Sequence, residues 1–95
     1  MAKQEDSCAV DVLTFPSSHY ALKAEKICKR EGTRAVLIPL PREISADCGV
    51  ALIVRSGGCQ AAEELLRQAG ILVNGVHHLQ REGREARLWR SLLGG

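Results

Sequence analysis

The sequence predicts an α+β domain, because short runs rich in β-branched residues alternate with longer segments whose apolar residues recur at helical spacing. The turns carry glycine and proline, and the helical segments contain neither. The order reads strand, helix, strand, strand, helix, strand, followed by a tail. At 95 residues and 45% hydrophobic content, the chain has enough apolar side chains for one small core and no more.

Ala9 to Phe15 is an apolar, β-branched run stopped by Pro16, Ser17 and Ser18, so a strand runs into a helix-capping signal. From His19 to Glu31, Tyr20, Ala24 and Ile27, with Ala21 and Cys28 beside them, mark the inner face of a helix that Gly32 ends. Thr33 to Leu40 is a second strand, the polar stretch Pro41 to Asp47 a loop, and Gly49 to Arg55 a third strand. Gly57 and Gly58 break it. Ala61, Ala62, Leu65, Leu66 and Ala69 then form the stripe of a second helix ending at Gly70, and Ile71 to Leu79 is the fourth strand. That βαββαβ order is the split βαβ pattern of ferredoxin-like domains, an antiparallel sheet with two helices on one face. Residues 1–8 read as an N-terminal tail, 9–79 as the folded domain and 80–95 as a C-terminal amphipathic helical tail.

The third strand is apolar on both alternating sets, Val50, Leu52 and Val54 against Ala51 and Ile53, although an antiparallel sheet with one wet face should alternate. Something must cover the second face. Either the tail does, through Leu88, Trp89, Leu92 and Leu93, or a partner copy in a homodimer does.

Composition excludes several functions. Thirteen basic residues against 11 acidic ones give a net charge of +2, without the excess of a polyanion binder. Only Phe15, Tyr20 and Trp89 are aromatic, too few for base-stacking platforms, so nucleic acid is not the expected partner. No apolar run approaches the roughly 20 residues of a membrane span. The polar N-terminus lacks the pattern of a secretory signal, and the expected location is the cytoplasm. Cys8, Cys28, Cys48 and Cys59 include no pair at zinc-ligand spacing, and the adjacent His77 and His78 would point to opposite faces of a strand. No metal site or cofactor is expected.

In the split βαβ arrangement the first and second strands run parallel, so the loops that leave them share one end of the sheet. This predicts that Ser17, Ser18 and His19 lie near Arg42, Glu43, Ser45, Asp47 and Cys48, beside the unpaired N–H groups of the first helix. A cysteine there, next to a helix N-terminus and an arginine, favours its nucleophilic thiolate, while Asp47 opposes that effect. Gly49 leaves room for an incoming partner. The competing reading has Cys48 at the start of a central strand, pointing into the core. His19 is either a solvent-facing helix residue or a proton donor to a species on Cys48. Arg42 is either solvated or a clamp for an anion. Cys28 falls on the inner helix face and reads as core; Cys8 and Cys59 lie at the opposite pole, and spacing alone leaves open whether they approach each other.

The blocks Phe15-Pro-Ser-Ser-His-Tyr-Ala-Leu-Lys-Ala-Glu-Lys and Leu37-Ile-Pro-Leu-Pro-Arg-Glu-Ile-Ser-Ala-Asp-Cys-Gly-Val-Ala-Leu resemble the selenium/sulfur (Se/S) carrier protein-like family, over about Val10 to Val76. The resemblance implies a small bacterial domain linked to selenium metabolism that carries sulfur or selenium on a cysteine. Carried over by position, the carrier thiol is Cys48, with Pro41, Arg42, Ser45 and Gly49 shaping its loop and Ser18 and His19 facing it. The Cys-Pro-x-Pro motif of better-understood sulfur carriers is not present.

Two functions follow. In the first, Cys48 accepts a persulfide or selenide from a donor such as a cysteine desulfurase and passes it to an acceptor protein, as a relay and not as a turnover enzyme. In the second, the chain is a non-catalytic dimeric binding module that holds a small anion at a helix N-terminus, with Cys48 merely packed.

Overall fold

The computed structural model describes residues 7–45 and 49–94. Its elements are β1 (Ser7–Thr14), α1 (Ser18–Arg30), β2 (Ala35–Pro39), β3 (Val50–Arg55), α2 (Cys59–Gln68), β4 (Gly75–Glu82) and α3 (Arg84–Leu92). The strands form one sheet in the order β2-β3-β1-β4. Every neighbouring pair is antiparallel, so β1 and β2, both antiparallel to β3, run the same way.

Side-chain alternation divides the sheet into two faces, and each carries its own core. Leu13, Phe15, Leu52 and Val54 pack against Ala21, Ala24 and Cys28 of α1 and Ala62 and Leu66 of α2. On the other face Val10, Val12, Ala51 and Ile53 pack against Trp89 and Leu93 of α3, together with Ile38 and Ile44. The C-terminal segment therefore folds back over the second face, which is why β3 is apolar on both sides. Gly83 makes the reversal from β4 into α3 at φ 74° and ψ −141°, a region open essentially to glycine alone. At its far end α3 is tied down by Arg55, whose Nη2 donates to the Leu93 carbonyl at 3.2 Å.

Several local expectations are corrected. Ile71 to Asn74 is not strand: after Gly70 ends α2, Ile71 drops into the core, and the ladder with β1 begins only at Gly75. β4 runs on to Glu82 because Ser7, Cys8 and Ala9 continue to offer it a partner strand. Ser17 occupies the N-cap of α1 without a side-chain capping bond. Tyr20 is exposed, since the buried stripe of α1 is Ala21, Ala24 and Cys28. In α3 the outward residues are Leu88 and Leu92, and Ala86 joins Trp89 on the buried side. The stretch after β2 is not uniformly polar in behaviour, for Ile44 is only 5% exposed.

Candidate functional site

Ile44 decides the course of the loop that follows β2. Pro41 to Ile44 forms a turn closed by the Ile44 amide donating to the Pro41 carbonyl at 3.0 Å, and the Ile44 side chain is drawn into the core beneath α3. At the loop's base the Leu40 amide donates to the Gly49 carbonyl at 3.0 Å, joining the outgoing and returning strands. Arg42, Ser45 and Gly49 are left exposed, and among the described residues nothing beyond its chain neighbours stands within 4 Å of where a Gly49 Cβ would lie. Asp47 and Cys48, the expected carrier thiol, lie outside the described residues.

Arg42 and Glu43 border a cleft of about 580 Å³ between the β2 end of the sheet and α3, with Arg81, Glu85, Leu88 and Trp89 on its other side. Glu43 Oε2 pairs with Arg81 Nη2 at 2.8 Å, and Arg81 Nε pairs with Glu85 Oε1 at 3.1 Å. The Arg81 guanidinium also lies over the Trp89 ring, 5.4 Å from its centre. A hydrogen bond from its own backbone N–H holds the Glu43 carboxyl below the ordinary range; desolvation opposes this, and the Arg81 pairing adds to it.

Ser17, Ser18 and His19 open α1 on the opposite face of the sheet. Ser18 and His19 are exposed and Ser17 partly so; the His19 ring meets Tyr20 edge-on, with 5.6 Å between centres. The strand directions bring both loops to one end of the sheet, but Ile44 then pulls Arg42 toward α3. Among the described residues no hydrogen bond, ion pair or ring contact joins Arg42 or Ser45 to the Ser17–His19 group.

The other cysteines separate by face. Cys28 is fully buried, and burial pushes its thiol pKa up. Cys8 packs toward the α3 side and Cys59 toward the α1 and α2 side, so the sheet stands between them and both are free thiols.

One charged group escaped the sequence reading. Asp11 sits within β1, 1% exposed, and its carboxylate accepts from the Gly57 amide at 2.9 Å, the Cys59 amide at 3.2 Å and His78 Nδ1 at 2.6 Å. It caps α2 from a neighbouring strand, where Gly58 at the N-cap supplies no side chain. Burial raises its pKa, but the hydrogen bonds from His78, the Cys59 side chain and the two amides outweigh burial and hold it below the usual carboxylate range. Burial raises the Cys59 thiol, and the Asp11 hydrogen bond and negative charge raise it further. An aspartate inside the run Ala9-Val-Asp-Val-Leu was the signal available, because a charge on a buried strand needs partners.

The chain is a small α+β protein with a four-stranded antiparallel sheet and, after β2, a segment held by the Ile44–Pro41 and Leu40–Gly49 hydrogen bonds. It belongs to the family described as "Putative Se/S carrier protein-like", which matches residues 11–78. No curated protein and no solved structure matches it. Among the described residues no helix is long and apolar enough to cross a membrane.

Proposed function

We propose that the chain relays sulfur or selenium on Cys48, and that its sheet is the split βαβ, ferredoxin-like arrangement. Central β1 and β3, co-directional β1 and β2, and α1 and α2 on one face support that fold. The observation that carries the function is how the chain is held on either side of Cys48. Its base is pinned by the Leu40–Gly49 bond and its first half by buried Ile44, while Gly49, the next residue in the chain, is exposed and unobstructed. On this reading the loop offers its thiol to a partner protein's active site without the carrier unfolding.

The chemistry is a balanced displacement. The Cys48 thiolate attacks the outer sulfur of the donor's Cys–S–SH, a new Cys48–S–SH forms, and the donor's S–S bond breaks to release its cysteine thiolate, with no net oxidation. Selenium follows the same course with an outer selenium atom. A cysteine desulfurase is the class of donor and a second thiol protein the acceptor. Arg42, exposed on the same loop, supplies a cation for the anionic outer atom or for a carboxylate on the partner. His19, in the first turn of α1, supplies a proton from that end of the sheet.

Incubation with a cysteine desulfurase and cysteine, followed by digestion without reductant and mass spectrometry, tests the relay. One added sulfur atom is expected on the Cys48 peptide and none on the Cys28 peptide. A bare Cys48 peptide, with a known carrier loaded in parallel, would leave the binding-module function standing in its place.

A further inference from the structure

We propose that Arg81 is a positioning residue for the loop after β2, acting through Glu43 from a platform made by Trp89 and Glu85. The purpose assigned to the loop rests on the carrier reading; the holding of the loop does not.

Arg81 lies beyond residues 11–78, the span shared with the carrier family, on the stretch of β4 that continues along Ser7–Ala9. Its side chain is only 21% exposed although it belongs to the last turn of strand before α3. Three contacts set its orientation before Glu43 is considered: the Trp89 ring beneath the guanidinium, Glu85 on Nε, and the Gln80 carbonyl at 3.3 Å from Nη1. An isolated surface ion pair is worth little, chiefly because two long side chains must be ordered to form it. Here most of the ordering of one partner is already done, and Nη2 remains for Glu43 at 2.8 Å. Glu43 is followed directly by Ile44, the buried anchor of the loop, so the charge pair and the apolar plug act on adjacent residues. Trp89 belongs to the same buried cluster as Ile44 and thereby supports both. The helix that covers the second face of the sheet thus also sets the position of the chain segment leading toward Cys48.

Lysine at this position would retain the charge and lose the planar fork that reaches Glu85 and Glu43 together. The test is amide hydrogen exchange at Ile44, with Leu52 and Ile53 in β3 as internal controls and Trp89 fluorescence to show that α3 stays docked. Arg81→Ala should speed exchange at Ile44 by about three- to tenfold and leave the β3 amides unchanged, and Arg81→Lys should recover only part of the protection. Glu43→Gln should match Arg81→Ala, and the double variant should be no worse than either single one. Unchanged exchange at Ile44 in Arg81→Ala, or fully additive effects of the two substitutions, overturns the proposal. Sulfur loading of Cys48 is followed in the same proteins as a separate readout. Coupled exchange in a chain that never loads sulfur removes the carrier function and leaves the positioning role, whereas loading with uncoupled exchange does the reverse.

Discussion

Asp11 and His78, the first and last residues matched by the carrier family, are joined across β1 and β4 by a 2.6 Å hydrogen bond. The Asp11 side chain is buried and its pKa lowered, whereas the His78 side chain is 72% exposed. The same carboxylate caps α2, so one buried charge ties together β1, β4 and the start of a helix.

Acid should therefore weaken the fold through this group. A carboxyl whose pKa is depressed by folding contributes its full stability above the unfolded value of about 3.9 and loses it as pH falls through the folded value. Urea midpoints are expected to be steady from pH 7 to about 5 and to fall below about 4. Asp11→Asn removes the negative charge and turns an amide toward backbone donors, with an expected cost of about 2 to 3 kcal/mol at pH 7. Its denaturation midpoint should also vary less with acid than that of the parent; an equally steep acid limb would mean that Asp11 is not the responsible group.

The thiols should alkylate in an order set by their surroundings. Cys28 is fully buried and should react last, at a rate that follows opening of the fold. Cys59 is partly exposed, yet at neutral pH it should react more slowly than an unhindered thiol because Asp11 opposes the thiolate. Asp11→Asn should speed Cys59 modification at pH 7 in protein that remains folded. Peptide mapping after timed iodoacetamide treatment checks both statements.

Trp89 is the single tryptophan, and at 3% exposure it reports on α3 alone. Its emission should be blue-shifted in the folded chain and move red on unfolding. Trp89→Ala should cost about 3 to 5 kcal/mol by opening a cavity in the second core. The variant should also self-associate on gel filtration, since Val10, Val12 and Ile53 would lose part of their cover.

Gly83 tests the reversal that brings α3 back. Beyond its chain neighbours no described atom stands within 4 Å of where its Cβ would be, so the cost of substitution is backbone strain at φ 74° and ψ −141°. Gly83→Ala is expected to lose about 1 to 3 kcal/mol. Gly83→Asn should be no better, because asparagine tolerates the left-handed helical region and not this one. Thermal midpoints that match the parent in either variant would contradict the strain account.

The helical spacing of Tyr20, Ala24 and Ile27, the stripe from Ala61 to Ala69, and the glycines at 32, 57 and 70 were enough to place two helices between four strands. The doubly apolar β3 was enough to require a cover on both faces. Those are local matters, since alternation and helical spacing assign each residue to a side whatever lies opposite. Which cover the second face receives was decided by packing: Gly83 turns the chain, and Trp89 and Leu93 find Val10 and Ile53 distant in sequence. The same packing took Ile44 out of a polar loop and carried Arg42 toward α3, away from His19. Asp11 was visible as a misplaced charge, but its partners come from residues 57, 59 and 78, and no spacing along the chain announces them. Sequence by itself settled the order of the elements and the two apolar faces of β3; the tertiary structure alone settled where each element ends, which side Tyr20 and Leu88 take and what the inner faces meet, because burial and charge pairing are satisfied by neighbours in space.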